Sequence, residues 1–173
     1  MYLRHLTRHV HETITQHVET WMGSLGWMGP PDQVPFGTSP ALFQVGRMDE
    51  ASVKQVTGNL IAISYGDEPE ETHIELGGGL VKQDYIVYID CLADEDSVAL
   101  AMANDVKDCL LGNAPLTSRF LRLHDHTNAP PTQLDDYLME FTDVVRRKPE
   151  VVYRANWHVI QTVCEMVYPK DGG

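Results

Sequence analysis

Histidine is the residue type in this 173-residue chain best suited to chemistry, and eight are present. A neutral imidazole ligates metals, and its charge changes near neutral pH. His5 and His9 are four apart in the first amphipathic stretch, a spacing that places them on one helix face. His124-Asp125-His126 is the second dense group. Zinc needs three or four such ligands converging at ~2.0–2.3 Å. The run from His9 to Thr13, HVHET, only superficially resembles the H-E-x-x-H zinc helix, because its histidines are two apart rather than four. Arg8, next to His9, also disfavours a cation there. The histidines therefore read as solvated or interface residues, and neither a metal nor another cofactor is expected.

Other reactive groupings are equally sparse. The glycines Gly77–Gly79 in ELGGGLVKQD lack the G-x-x-x-x-G-K-[ST] spacing that cradles phosphate, and a strand rather than a helix follows them. A hairpin bend or a close backbone approach accounts for them. No G-x-S-x-G elbow occurs. Cys91, Cys109 and Cys164 each lie in an apolar stretch, and Asp90 and Asp108 flank the first two, the opposite of the electropositive setting that activates a thiol. They read as buried structural thiols of a reducing cytosol. Asp135-Asp136 and Glu70-Glu71 read as solvated charge in polar turns. No active site is expected. Arg146-Arg147-Lys148 is the one basic cluster, either a solvated turn or a docking spot for an acidic partner.

Charge narrows the partners. Lys and Arg number 13 against 25 Asp and Glu, a formal net charge of −12. Counterion-release binding to nucleic acid requires a basic footprint, so unaided DNA or RNA binding is not expected, nor is attraction to an anionic membrane. No apolar run approaches the ~18 residues that span a bilayer, and the polar start MYLRHLTRHVHE has no signal-peptide core. Assembly in the cytosol follows as the expectation.

The elements that would carry these residues follow from periodicity. Leu3, Leu6, Val10, Ile14, Val18, Trp21 and Leu25 recur at helical spacing, and Gly26 is placed to end that helix. Between Trp27 and Arg47, four prolines and three glycines predict a long loop (28–46) bearing Trp27, Phe36 and Phe43. Its aromatics either pack on the core or order against a neighbouring subunit. Strands are predicted over Val56–Tyr65, His73–Leu76 and around Tyr85–Cys91, with GDEPEE as a polar turn. Asp94-Glu95-Asp96 opens a second helix that Gly112 stops. Further strands are predicted over Ser118–His124, over Leu134–Arg147, where a helix also fits, and over Tyr153–Tyr168. The expected fold is one α+β domain over residues 1–173, a mixed or antiparallel sheet of about five strands packed against two amphipathic helices.

In that order and texture the chain resembles the tail terminator proteins of long-tailed bacteriophages. The likeness is carried by LTRHVHETITQHVETWMGSLGW, by the strand, acidic turn, helix and glycine of QDYIVYIDCLADEDSVALAMANDVKDCLLG, and by the closing pair EFTDVVRRKP and RANWHVIQTVCEMVYP. The 28–46 loop departs from it. The resemblance implies a structural virion protein, a homohexameric ring between tail tube and head-side connector through which DNA passes without specific binding. On that reading Trp27, Phe36, Phe43, Arg146, Arg147 and Lys148 are interface candidates, and Asp67, Glu68, Glu70 and Glu71 face the channel. Rival readings are another head–tail joining protein such as a stopper or completion subunit, a small metal-dependent enzyme using the histidines, and a host adaptor domain.

Overall fold

In the computed structural model, which describes residues 3–74, 79–114, 117–149 and 156–170, helix α1 spans Leu6–Ser24. Val10, Ile14, Val18 and Met22, each four residues after the last, are all buried, so one stripe of the helix faces the core. Gly26 lies just beyond, at φ 87°, where a Cβ would approach the Gln33 carbonyl oxygen to 2.7 Å. Only glycine lets the following loop close so tightly on the helix end. The second long helix, α3 (Asp96–Leu111), buries Val98, Met102, Val106 and Leu110 and ends at Gly112, φ 69°. There the Gly112 and Asn113 N–H groups close onto the Cys109 and Asp108 carbonyls.

The strands are β1 (Leu42–Val45), β2 (Leu60–Tyr65), β3 (Glu70–His73), β4 (Leu80–Leu92), β5 (Phe120–Asp125), β6 (Thr132–Arg147) and β7 (Trp157–Pro169). They form one curled sheet in the order β1-β2-β4-β7-β6-β5, with β3 extending alongside β4. Every pairing is antiparallel except β1 with β2. The α+β class is as expected; among the described residues the strands number seven, not about five. The Leu134–Arg147 segment is a strand, with a bulge between Thr142 and Val145 where Asp143 adopts φ 50°. The Thr162 hydroxyl donates to the Thr142 carbonyl there, holding the interrupted ladder.

Three readings need correction. The 28–46 segment is not a bare loop: it holds two 3-10 turns (Pro31–Gln33 and Pro35–Gly37) and strand β1. The N-terminal part of the predicted Val56–Tyr65 strand is irregular, and a short helix, α2 (Glu50–Gln55), precedes it, started by the Asp49 carboxylate accepting the Ser52 N–H. The polar turn GDEPEE is shorter than expected, since Glu70 and Glu71 already belong to β3. Part of the predicted His73–Leu76 strand, the glycines at 77 and 78, and the first residues of the Tyr153–Tyr168 strand lie outside the described residues.

Both helices cover the inner face of the sheet, where Ile61, Ile63, Val87, Ile89, Met139, Phe141, Ile160 and Cys164 meet the apolar stripes of α1 and α3. At one end of the outer face α2 adds a smaller core of Met48, Val53, Leu60, Leu92, Trp157 and Val159. Coverage on both faces at that end explains why the start of β7 buries Trp157 and Val159 on one side and Ile160 on the other. No described helix is long and apolar enough to cross a membrane.

Candidate functional site

α1 is positioned against the free edge of β5, and the histidines decide how. The backbone N–H of His124 donates to Thr13 Oγ1 at 3.1 Å, and that of His126 donates to His9 Nδ1 at 3.0 Å. Thr13 and His9 are four apart on α1, so they share a face and reach two alternate edge positions of the strand. An edge with unpaired N–H groups invites unwanted strand pairing, and here two side chains occupy it. Because His9 Nδ1 accepts, its ring proton sits on Nε2, which lies 3.8 Å from Asp125 Oδ1. His126 Nε2 is 3.2 Å from Thr13 Oγ1, and its Nδ1 is 3.6 Å from Glu12. Burial holds the His126 imidazole below its ordinary range, opposed by the Glu12 carboxylate. The His9 side chain thus joins His126, while its link to His5 is the backbone bond of its N–H to the carbonyl of His5, which sits at φ 58° ahead of the helix. Among the described residues no three His, Cys, Asp or Glu side chains are placed to hold a metal.

Beside this seam, between α1 and β5, runs an open groove of about 650 Å³. Gln16, Thr20 and Trp21 form its helical wall, and Phe120, Leu121 and Arg122 form its strand wall.

A second feature lies on the outer face of the sheet. Register places Glu70 opposite Asp84, Asp84 opposite Glu165, Glu165 opposite Glu140, and Glu140 opposite Phe120. Four carboxylates therefore stand in one row across four adjacent strands, spaced by the ~4.7–4.9 Å of a sheet. Lys82, one row over, reaches Glu165 at 2.8 Å and Asp84 at 3.5 Å, and Arg119 reaches Glu140 at 3.4 Å. Asp84 Oδ1 is buried without a hydrogen bond. Burial raises the Asp84 carboxyl above its ordinary range, Lys82 opposes that, and the neighbouring Glu165 and Glu70 add to it.

The residues singled out from sequence fall in different places. Trp27 is 1% exposed and belongs to the core, its Nε1–H donating to Asp105 Oδ2 at 2.7 Å, so it is not a surface residue of this fold. Phe43 is half-buried against the same core, whereas Phe36 is 78% exposed. Arg146 donates to His158 Nδ1 and Lys148 to Asp96 Oδ1, tying the end of β6 to β7 and to the first turn of α3; Arg147 is exposed beside them. The Lys148 and His158 contacts hold the Asp96 carboxyl below its ordinary range.

Asp67 and Glu68 occupy the exposed turn before β3. Glu70 lies in the carboxylate row, but Glu71, the next residue in the strand, points to the other face and accepts from Gln83. Asp84, Glu140 and Glu165 are the members sequence reasoning missed, because cross-strand register is invisible in the chain itself. All three cysteines are buried and free, and burial drives their thiols upward, Cys109 to about 12. That setting suits packing rather than nucleophilic attack.

Neither a protein-family model nor a curated protein matches the chain.

Proposed function

We propose that this chain is a ring-forming structural subunit of a bacteriophage tail, tail-terminator-like, that caps the head-proximal end of the tail tube, ends its polymerisation and joins it to the head-side connector. The observation that carries the reading is the carboxylate row Glu70–Asp84–Glu165–Glu140 on the outer sheet face. Directly opposed like charges destabilise a sheet. At ~5 Å a bare pair would cost about 0.8 kcal/mol even with the full screening of water. Lys82 and Arg119 offset part of this at Asp84, Glu165 and Glu140 and, among the described residues, leave Glu70 without such a contact in the row. A face that must let DNA slide past without adhering gives that cost a purpose.

Six copies carry formally −72, six times −12. Only carboxylates within ~8–10 Å of the duplex act on it at physiological salt, which is why a concentrated row matters more than the total. The α+β order, with an amphipathic helix first and a pair of long strands last, agrees with the resemblance.

Light scattering on the pure protein tests the reading. A particle of about 117 kDa, six times 19.5 kDa, is expected. A 19.5 kDa species that persists at high concentration overturns it.

A further inference from the structure

Two unlike patches of the surface match each other. The first is the tip of the segment before β1. Phe36 is 78% exposed and sits at φ 62°, ψ 14°, a left-handed conformation that a bulky side chain rarely adopts. The backbone at Phe36 therefore turns an aromatic ring outward at a conformational cost, and strain of this kind clusters where a surface has a task. The base of the tip is packed down. Trp27 is buried beneath it with ring centroids 6.3 Å from Phe36, and Gly26 lets Gln33 close on the end of α1. Asp32 is the one charged residue between positions 20 and 46.

The second patch is the α1–β5 groove. Trp21, Phe120 and Leu121 supply apolar surface; among its described lining residues none is acidic, and Arg122 is the one permanently charged side chain. In a chain of net charge −12 an acid-free groove is a local exception. Its walls are pre-set, because Thr13 and His9 fasten α1 to the edge of β5. Phe36 does not line this groove, so knob and groove are separate patches of one molecule. A contact between them is heterologous, the type that closes into a ring after a fixed rotation. Surfaces already held by contacts within their own subunit lose less conformational freedom on meeting.

The geometry points to a copy-to-copy contact in which Phe36 of one subunit enters the α1–β5 groove of the next, with Asp32 facing Arg122. This rests on the ring reading above and names the surfaces that make it. The occupant is a second copy because the charges match one to one. The acidic remainder of the chain is repelled by its own kind, whereas the described lining of the groove carries no carboxylate and presents Arg122.

Complementary variants test it. Phe36→Asn removes the ring and suits the left-handed backbone, so the fold is expected to melt no lower than the parent. Thr20→Trp fills the groove from an exposed helical position. Each variant alone should lose the assembled mass by light scattering. Mixed one to one they should form a two-copy species, since one retains the groove and the other the knob. Asp32→Arg and Arg122→Glu should each weaken association at least tenfold, and together restore it.

Full-size particles from Phe36→Asn would place the contact elsewhere while leaving the ring reading intact. A parent protein that never associates removes both. Capture of a different protein, lost with Thr20→Trp but kept with Phe36→Asn, would show that the groove serves another partner and overturns the proposal.

Discussion

His9 Nδ1 accepts the backbone N–H of His126 at 3.0 Å, so a helix side chain does for the edge of β5 what a neighbouring strand would otherwise do. Thr13 repeats the arrangement one turn along, at His124. Removing the acceptor leaves a donor without its partner in a nearly buried site, a loss of ~1–3 kcal/mol. His9→Ala should therefore lower stability by about that amount. It should also speed hydrogen exchange at the His126 amide more than at His124. His9→Asn, whose side-chain oxygen stands close to the position of Nδ1, should recover most of both. Equal exchange at the two amides in His9→Ala would mean the helix does not protect this edge residue by residue.

Burial lowers the imidazole pKa of His17, and likewise that of His11 and of His126. A histidine held below its unfolded value of 6.5 binds its proton more readily in the unfolded chain. Its contribution is thus intact above 6.5 and is lost as pH falls from there toward the folded value. His17 is the sharpest case, with Nε2 3.4 Å from Cys109 Sγ and the ring stacked on Phe141. Denaturation midpoints measured from pH 7.5 to 5 should drop less in His17→Gln than in the parent. An unchanged slope would show that the imidazole binds its proton equally in the folded and unfolded states.

Asp90 acts in the opposite sense. Burial raises its carboxyl from 3.8 to about 6, while the Trp157 Nε1–H, bonded at 2.7 Å, and Arg47 oppose the shift. The folded chain therefore prefers the protonated acid, and stability declines as pH rises from 3.8 to about 6. A shift of about two units corresponds to ~3 kcal/mol at neutral pH. Asp90→Asn keeps a carbonyl oxygen for Trp157 and removes the buried charge. It should stabilise the protein at pH 7.5 by ~1–3 kcal/mol and have little effect near pH 4. Destabilisation at both pH values would mean that the Arg47 interaction outweighs burial.

Trp27 shows where the sequence was legible and where it was not. Helices α1 and α3 were readable because one stripe and one terminal glycine each determine their limits. The fate of the aromatics after Gly26 was not, because nothing in a proline-rich stretch distinguishes a ring that packs from one that protrudes. Trp27 is anchored by Asp105, 78 residues away, and Phe36 is turned out by a backbone angle; neither leaves a local trace. α2 was obscured by its length, too short for periodicity to show. Of the carboxylate row, only Glu70 was picked out, because a row across strands is a property of register.

Trp27 itself should be costly to alter. Trp27→Phe loses the bond to Asp105 Oδ2, leaving a carboxylate whose burial already raises its pKa, and should cost ~1–3 kcal/mol. Trp27→Ala should cost ~3–5 kcal/mol through the cavity as well. Urea denaturation distinguishes them. If both cost under about 0.5 kcal/mol, the segment before β1 is not held down by this ring, contrary to its burial.

The acidic face can be tested by inverting it where the fold will tolerate the change. Asp67, Glu68 and Glu70 are exposed, whereas Glu165 and Glu140 hold Lys82 and Arg119 and are better left alone. Replacing 67, 68 and 70 with lysine moves each copy by six charges and places cations at one end of the row. If that face lines the channel, assembled particles should begin to retain duplex DNA, and the retention should fall steeply with salt as condensed counterions are exchanged. The parent particle should show none at the same salt. Assembled lysine variants that remain indifferent to DNA would mean that these positions face solvent or a protein neighbour. The carboxylate row would then need a different explanation for its electrostatic cost.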